Sequence, residues 1–201
     1  LRGAMASARV ANMPKDNIDR AIKRAAGGED GAHYQEVRYE GFAPGGVAII
    51  IEALTDNRNR TASEVRTAFA KHGGALAETG SVSHQFVRVG SIVFPVDVGT
   101  ADAIFEAAVD AGADDVQSSA SGHEVLCGVE AFSAVRDALE GRLGSPASAR
   151  LIWRPLMDVP VSGEPAVAVL ELLDMLEDTD DVQQVFANCD IADDVVRRFG
   201  T

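Results

Sequence analysis

The chain has 201 residues, enough for one large domain or two modest ones that each bury a core. Hydrophobic residues make up 46% and mean hydropathy is +0.01, the balance of a water-soluble globular chain; no apolar run reaches membrane-spanning length and no signal-peptide pattern opens it. The formal charge of −13 argues against a polyanionic partner until its distribution is followed.

Residues 1–28 hold six basic and two acidic side chains, residues 29–92 six and eight, and residues 93–201 six and twenty-one. The acidity therefore belongs to the C-terminal half, and a polyanion should meet the first part of the chain. Cys127 and Cys189 lie far apart and in no CxxC spacing, so they read as reduced residues of a cytoplasmic protein. The chain begins at Leu1 rather than Met, so a segment ahead of it is expected.

Residues 1–26 read as helical. Pro14 suits a first turn, Asp16 and Asp19 suit its dipole, and Ile18, Ala21, Ile22 and Ala25 mark one face. Gly27-Gly28 ends the helix, and Lys15, Arg20, Lys23 and Arg24 fall largely off the apolar face. Such a basic face is either solvated or aligned along phosphates.

Strands are predicted near 36–42 and 46–54, joined by the turn chemistry of Ala43-Pro44-Gly45-Gly46. Gly41 to Gly46 has P-loop glycine spacing, but Val47-Ala48 stands where Lys and Ser/Thr are needed, which excludes that form of nucleotide hydrolysis. The apolar strand runs into Thr55-Asp56-Asn57-Arg58-Asn59-Arg60-Thr61. Two guanidiniums among amides and hydroxyls suit phosphate or sugar oxygens. The plainer reading is a helix start, with Thr61 and Glu64 as a capping box and both arginines solvated.

The helix predicted over 61–72 puts Val65, Ala68, Phe69 and His72 on one face, with Arg66 and Lys71 elsewhere on its surface. A strand over 81–88 places Val82, His84 and Phe86 together, His84 as a packed histidine. From Ser91 the pattern becomes β-α-β-β-α-β: strand 91–96, helix 100–111 (Ile104, Phe105, Ala108 and Val109 inward), strands 114–118 and 123–129, helix 130–140, and a strand near 148–154. That order is ferredoxin-like. A last helix over 165–176 and a strand at 181–187 have no complete domain of their own.

The predicted fold class is thus α+β: an N-terminal helical segment (1–30) and two α/β domains. The acidic ferredoxin-like one (91–160) is inserted into a discontinuous one (36–90 plus 163–199). No HExxH, GxSxG or paired metal spacing is present, so no enzyme, cofactor or metal site is expected.

Five stretches in order, Asn12-Met13-Pro14-Lys15-Asp16-Asn17-Ile18, Tyr39 to Gly46, Thr55 to Thr61, Glu64-Val65-Arg66 and Gly80-Ser81-Val82, closely resemble the YebC/PmpR family. The resemblance covers nearly the whole chain. It implies three domains, one inserted in another, and a basic helical segment ahead of Leu1. Phe42-Ala43 replaces the family's usual Tyr-Gly, and Ser83-His84-Gln85 stands where a more hydrophobic strand is usual. Family members resemble DNA-binding transcriptional regulators; others resemble ribosome-associated translation factors, and mitochondrial relatives are translational activators. The expected partner is nucleic acid, either DNA or structured RNA in the ribosome, with Lys15, Arg20, Lys23, Arg24, Arg58, Arg60 and Arg66 as binding residues. A basic protein is the expected partner of the acidic half, and no membrane contact is expected.

Overall fold

The computed structural model describes residues 34–192, together with Met13, Lys15–Asn17, Asp19, Ile22 and Val195. Of the predicted N-terminal helix, Lys15–Asn17, Asp19 and Ile22 are helical; the rest lies outside the described residues.

Strands β1 (Gln35–Ala43) and β2 (Val47–Thr55) form an antiparallel hairpin closed by a 3-10 turn at Pro44–Gly46. Gly45 and Gly46 both sit at φ +80°, which an L side chain rarely adopts. Helix α1 (Arg58–Lys71) follows, then the short strand β3 (Ala75–Ala77), which pairs with β1. The fourth strand, β9 (Val182–Ala187), pairs with β2 after more than a hundred intervening residues. The sheet order is β3-β1-β2-β9.

Strand β2 reads as a continuous apolar run because both its faces are covered. Val47, Ile49 and Ile51 pack with Val65, Ala68 and Phe69 of α1 and with Val169, Leu172 and Leu176 of the last helix (α4, Gly163–Glu177). On the opposite face Ala48 and Ile50 meet Val82, Phe86, Trp153 and Phe186.

The second sheet holds β4 (Phe86–Phe94), β5 (Asp115–Ser119), β6 (Gly122–Gly128) and β7 (Ser148–Pro155) in the order β5-β6-β4-β7. All its pairs are antiparallel. Helices α2 (Ala101–Ala111) and α3 (Phe132–Leu143) close the β-α-β-β-α-β unit, the ferredoxin-like arrangement that the element order predicts. Its core joins Ile92, Phe94, Ile104, Val125, Val135 and Leu139.

Three expectations need correction. The strands predicted at 81–88 and 91–96 are one strand, β4, so the second sheet begins at Phe86 rather than Ser91. Residues Ser83–Gln85 form a 3-10 turn in which His84 is exposed rather than packed. Phe105 and Val109 point outward, each 58% exposed, while Ile104, Ala107 and Ala108 take the buried face of α2. Strands β8 (Val159–Val161) and β10 (Cys189–Ile191), paired in parallel, were not predicted. Cys127 is buried on β6 and Cys189 half-buried on β10, both as free thiols.

Polar contacts join the two sheets. Glu52 Oε1 on β2 accepts from Trp153 Nε1 at 2.9 Å and from Arg88 Nη1 at 2.5 Å. The Arg38 and Arg88 guanidiniums stand 5.1 and 5.2 Å from the Trp153 ring centroid, within cation–π range. Buried Glu40 accepts from the backbone N–H of Val82 and Ser83 at 2.8 and 3.0 Å, with Arg38 Nε at 3.1 Å. The conspicuous Glu40 and the Gly80-Ser81-Val82 stretch are thus two halves of one structural contact.

Candidate nucleic-acid interface

The Thr55 to Thr61 stretch is the junction at which β2 becomes α1. The Asn57 side chain caps the helix by accepting from the Arg60 backbone N–H at 3.1 Å, and Thr55 Oγ1 accepts from the Asn57 N–H at 2.9 Å. The predicted start at Thr61 is therefore corrected to Arg58. Asn57, not Thr61, is the cap: its side-chain oxygen takes up the Arg60 backbone N–H, one of the orphan donors of the first turn, while Thr61 already lies inside that turn.

Beneath the cap lies Asp181, buried at the start of β9. Its Oδ2 lies 3.0 Å from Thr55 Oγ1 and 2.7 Å from Thr61 Oγ1, so both hydroxyl protons can point at one carboxylate. Arg60 Nη2 lies 3.0 and 2.8 Å from the two carboxylate oxygens and 2.9 Å from Asp56 Oδ1. The Thr61 hydroxyl, the Arg60 guanidinium and Thr55 outweigh burial and hold the Asp181 carboxyl below the usual range.

Arg60 is thereby fixed, with its side chain still 45% exposed and its three contacts made through Nη2 alone. Arg58, one turn-half away, is exposed, and its carbonyl accepts from the Tyr39 hydroxyl at 3.2 Å. Arg66 is exposed on the same helix, about 12 Å further along its axis. Lys71 extends the positive character into the last turn. Helix α1 carries four basic side chains and one acidic one, Glu64, on a chain of net charge −13. Its positive dipole end lies at Arg58.

The structure thus groups Arg58, Arg60 and Arg66 on one helix. Lys15 is exposed in the N-terminal segment; Arg20, Lys23 and Arg24 lie outside the described residues. Asp181 is the member that the sequence does not single out. The usable signal was the pair of threonines, Thr55 and Thr61, flanking a buried helix start. Among the described residues no three His, Cys, Asp or Glu side chains group to hold a metal ion, and no helix is long and apolar enough to cross a membrane.

Comparison with known proteins agrees with this α+β fold. The family model described as TACO1/YebC second and third domain matches residues 34–189. The crystal structure of a conserved hypothetical protein from Aquifex aeolicus superimposes with a TM-score of 0.89 at 44% sequence identity, covering 96% of this chain and 80% of that one. The chain belongs to the TACO1/YebC family, whose members are in general regulatory rather than enzymatic.

Proposed function

We propose that the chain is a non-enzymatic regulator of gene expression that binds nucleic acid through its backbone. Duplex DNA is the target that the transcription-regulator label of the family favours. The observation that carries the reading is the fixed basic helix α1, with Arg58 and Arg66 exposed on an otherwise acidic chain. Phosphate contacts position a protein on nucleic acid without reading sequence, and exposed guanidiniums on a helix whose start is anchored to the sheet suit that task. The charge of Arg60 is already met by Asp181 and Asp56, and its task is to tie the helix start to Asp181.

A second reading, structured RNA in the ribosome, is favoured by one feature. Arg58 and Arg66 lie on a helix whose other face is packed on the sheet, so contacts to shape and backbone suit it better than insertion into a major groove. Competition at near-physiological salt between ribosomes, a promoter fragment and its scrambled copy tests the two. Preference for the promoter over the scrambled duplex supports the DNA reading. Preference for ribosomes, with both duplexes bound equally weakly, supports the RNA reading. No binding to any of the three contradicts both.

A further inference from the structure

Helix α2 carries more apolar surface than its own fold uses. Ile104, Ala107 and Ala108 fill the buried side, yet Phe105 and Val109, one turn apart, face solvent at 58% exposure each. Asp102 and Glu106 are exposed on the same outer stripe, at the i, i+3, i+4 and i+7 spacing that aligns residues 102, 105, 106 and 109. An aromatic and a β-branched residue exposed one turn apart, with carboxylates on the same stripe, form a small apolar strip inside an acidic surface.

We propose that this face of α2 docks a cationic protein segment that carries its own apolar anchors. Charge selects the occupant. No lysine follows Lys71, and residues 93–201 hold six arginines against twenty-one carboxylates. Arg136, Arg142 and Arg154 in the ferredoxin-like unit are each already paired, with Asp137, Asp110 and Asp115. The surrounding field is therefore negative, which repels nucleic acid and anionic lipid. A two-fold contact with a second copy would bring two copies of Asp102 and Glu106 into one interface with no cation on the stripe to offset them. A helical or extended segment with lysines or arginines beside leucine or phenylalanine meets both features: its cations reach Asp102 and Glu106, and its apolar side chains cover Phe105 and Val109. This surface stands apart from α1 and does not depend on the nucleic-acid reading.

The test is a titration of the isotopically labelled full chain, followed by amide chemical shifts, with three synthetic peptides. One is an amphipathic Lys/Leu helix, one a Lys/Ser peptide of equal charge, and one a Glu/Leu helix of equal pattern. The Lys/Leu peptide should shift the amides of residues 101–112 and bind at least tenfold tighter than either control. F105S/V109S should lose at least tenfold of that affinity with an unchanged melting temperature, and D102N/E106Q should flatten its salt dependence. Equal binding of the Lys/Ser or the Glu/Leu peptide, shifts confined to other elements, or an unaffected double variant would overturn the proposal. So would a concentration-dependent dimer that F105S/V109S abolishes, because the occupant would then be a second copy.

Discussion

Arg60 and Asp181, separated by 121 residues in the chain, are joined by a guanidinium nitrogen that lies within 3.0 Å of both carboxylate oxygens. The contact ties the start of α1 to the start of β9, so the basic helix is held by a strand that arrives only after the ferredoxin-like unit is complete. Thr55 and Thr61 complete the arrangement by donating to the same carboxylate.

Asp181→Asn should therefore cost stability out of proportion to a surface charge change. Hydrogen bonds to a charged acceptor are among the stronger ones, and the loss is expected to be about 1–3 kcal/mol. Arg60→Ala should cost less, because its side chain is 45% exposed and Asp181 keeps both hydroxyl donors. Urea denaturation of the two variants checks the order; equal and negligible effects would deny the junction its role.

The same site gives a pH signature. Asp181 is held below the usual carboxylate range by the Thr61 hydroxyl, Arg60 and Thr55. At Glu40 burial pushes upward, but the backbone N–H groups of Val82, Gly80 and Ser83 and the Arg38 guanidinium outweigh it and leave the group lowered too. Groups lowered on folding contribute stability that is present above the unfolded-state pKa, about 4 for these residues, and lost as pH falls through the folded-state value. Acid also relieves the repulsion of a −13 chain, so the readable quantity is a difference between proteins. The stability gap between wild type and Asp181→Asn should be constant from pH 7 to 5 and shrink below pH 4. A gap that widens in acid would reverse the assignment.

Two glycines should respond with opposite signs. At Gly41 a Cβ would lie 2.5 Å from Phe69 Cζ and 2.8 Å from the Ala75 carbonyl oxygen, which is backbone and cannot swing away. Gly41→Ala should destabilise by about 1–3 kcal/mol through overpacking. Gly141, inside α3, meets nothing within 4 Å, and Gly141→Ala should stabilise by up to about 1 kcal/mol. Paired thermal melts check both.

Much of this architecture was legible because its signals are local. The β2 run, its Pro-Gly-Gly turn and the helix periodicities gave element type and order to within a few residues. The strand β4 is not legible as one element because a glycine, Gly90, stands at its middle. Its real purpose is close approach: a Cβ there would meet Cys127 Sγ and Phe132 Cγ at 3.0 Å. Phe105 and Val109 fall beside Ile104 and Ala108 on an apolar helical face, and periodicity cannot tell which edge of such a face the core leaves exposed. His84 was misplaced with the strand that carried it. At the candidate site the basic residues of α1 were visible, but the Arg60–Asp181 bond was not. No local pattern links a loop arginine to an aspartate that a sheet brings beside it from a distant part of the chain.

The most direct test of a backbone-binding α1 is the salt dependence of nucleic-acid affinity for the full chain and for R58A/R66A, two exposed positions whose loss should leave folding intact. If both guanidiniums meet phosphate, the double variant should bind more weakly at low salt, and the slope of log affinity against log salt should fall by about two. A folded double variant with unchanged affinity and unchanged slope would contradict the account.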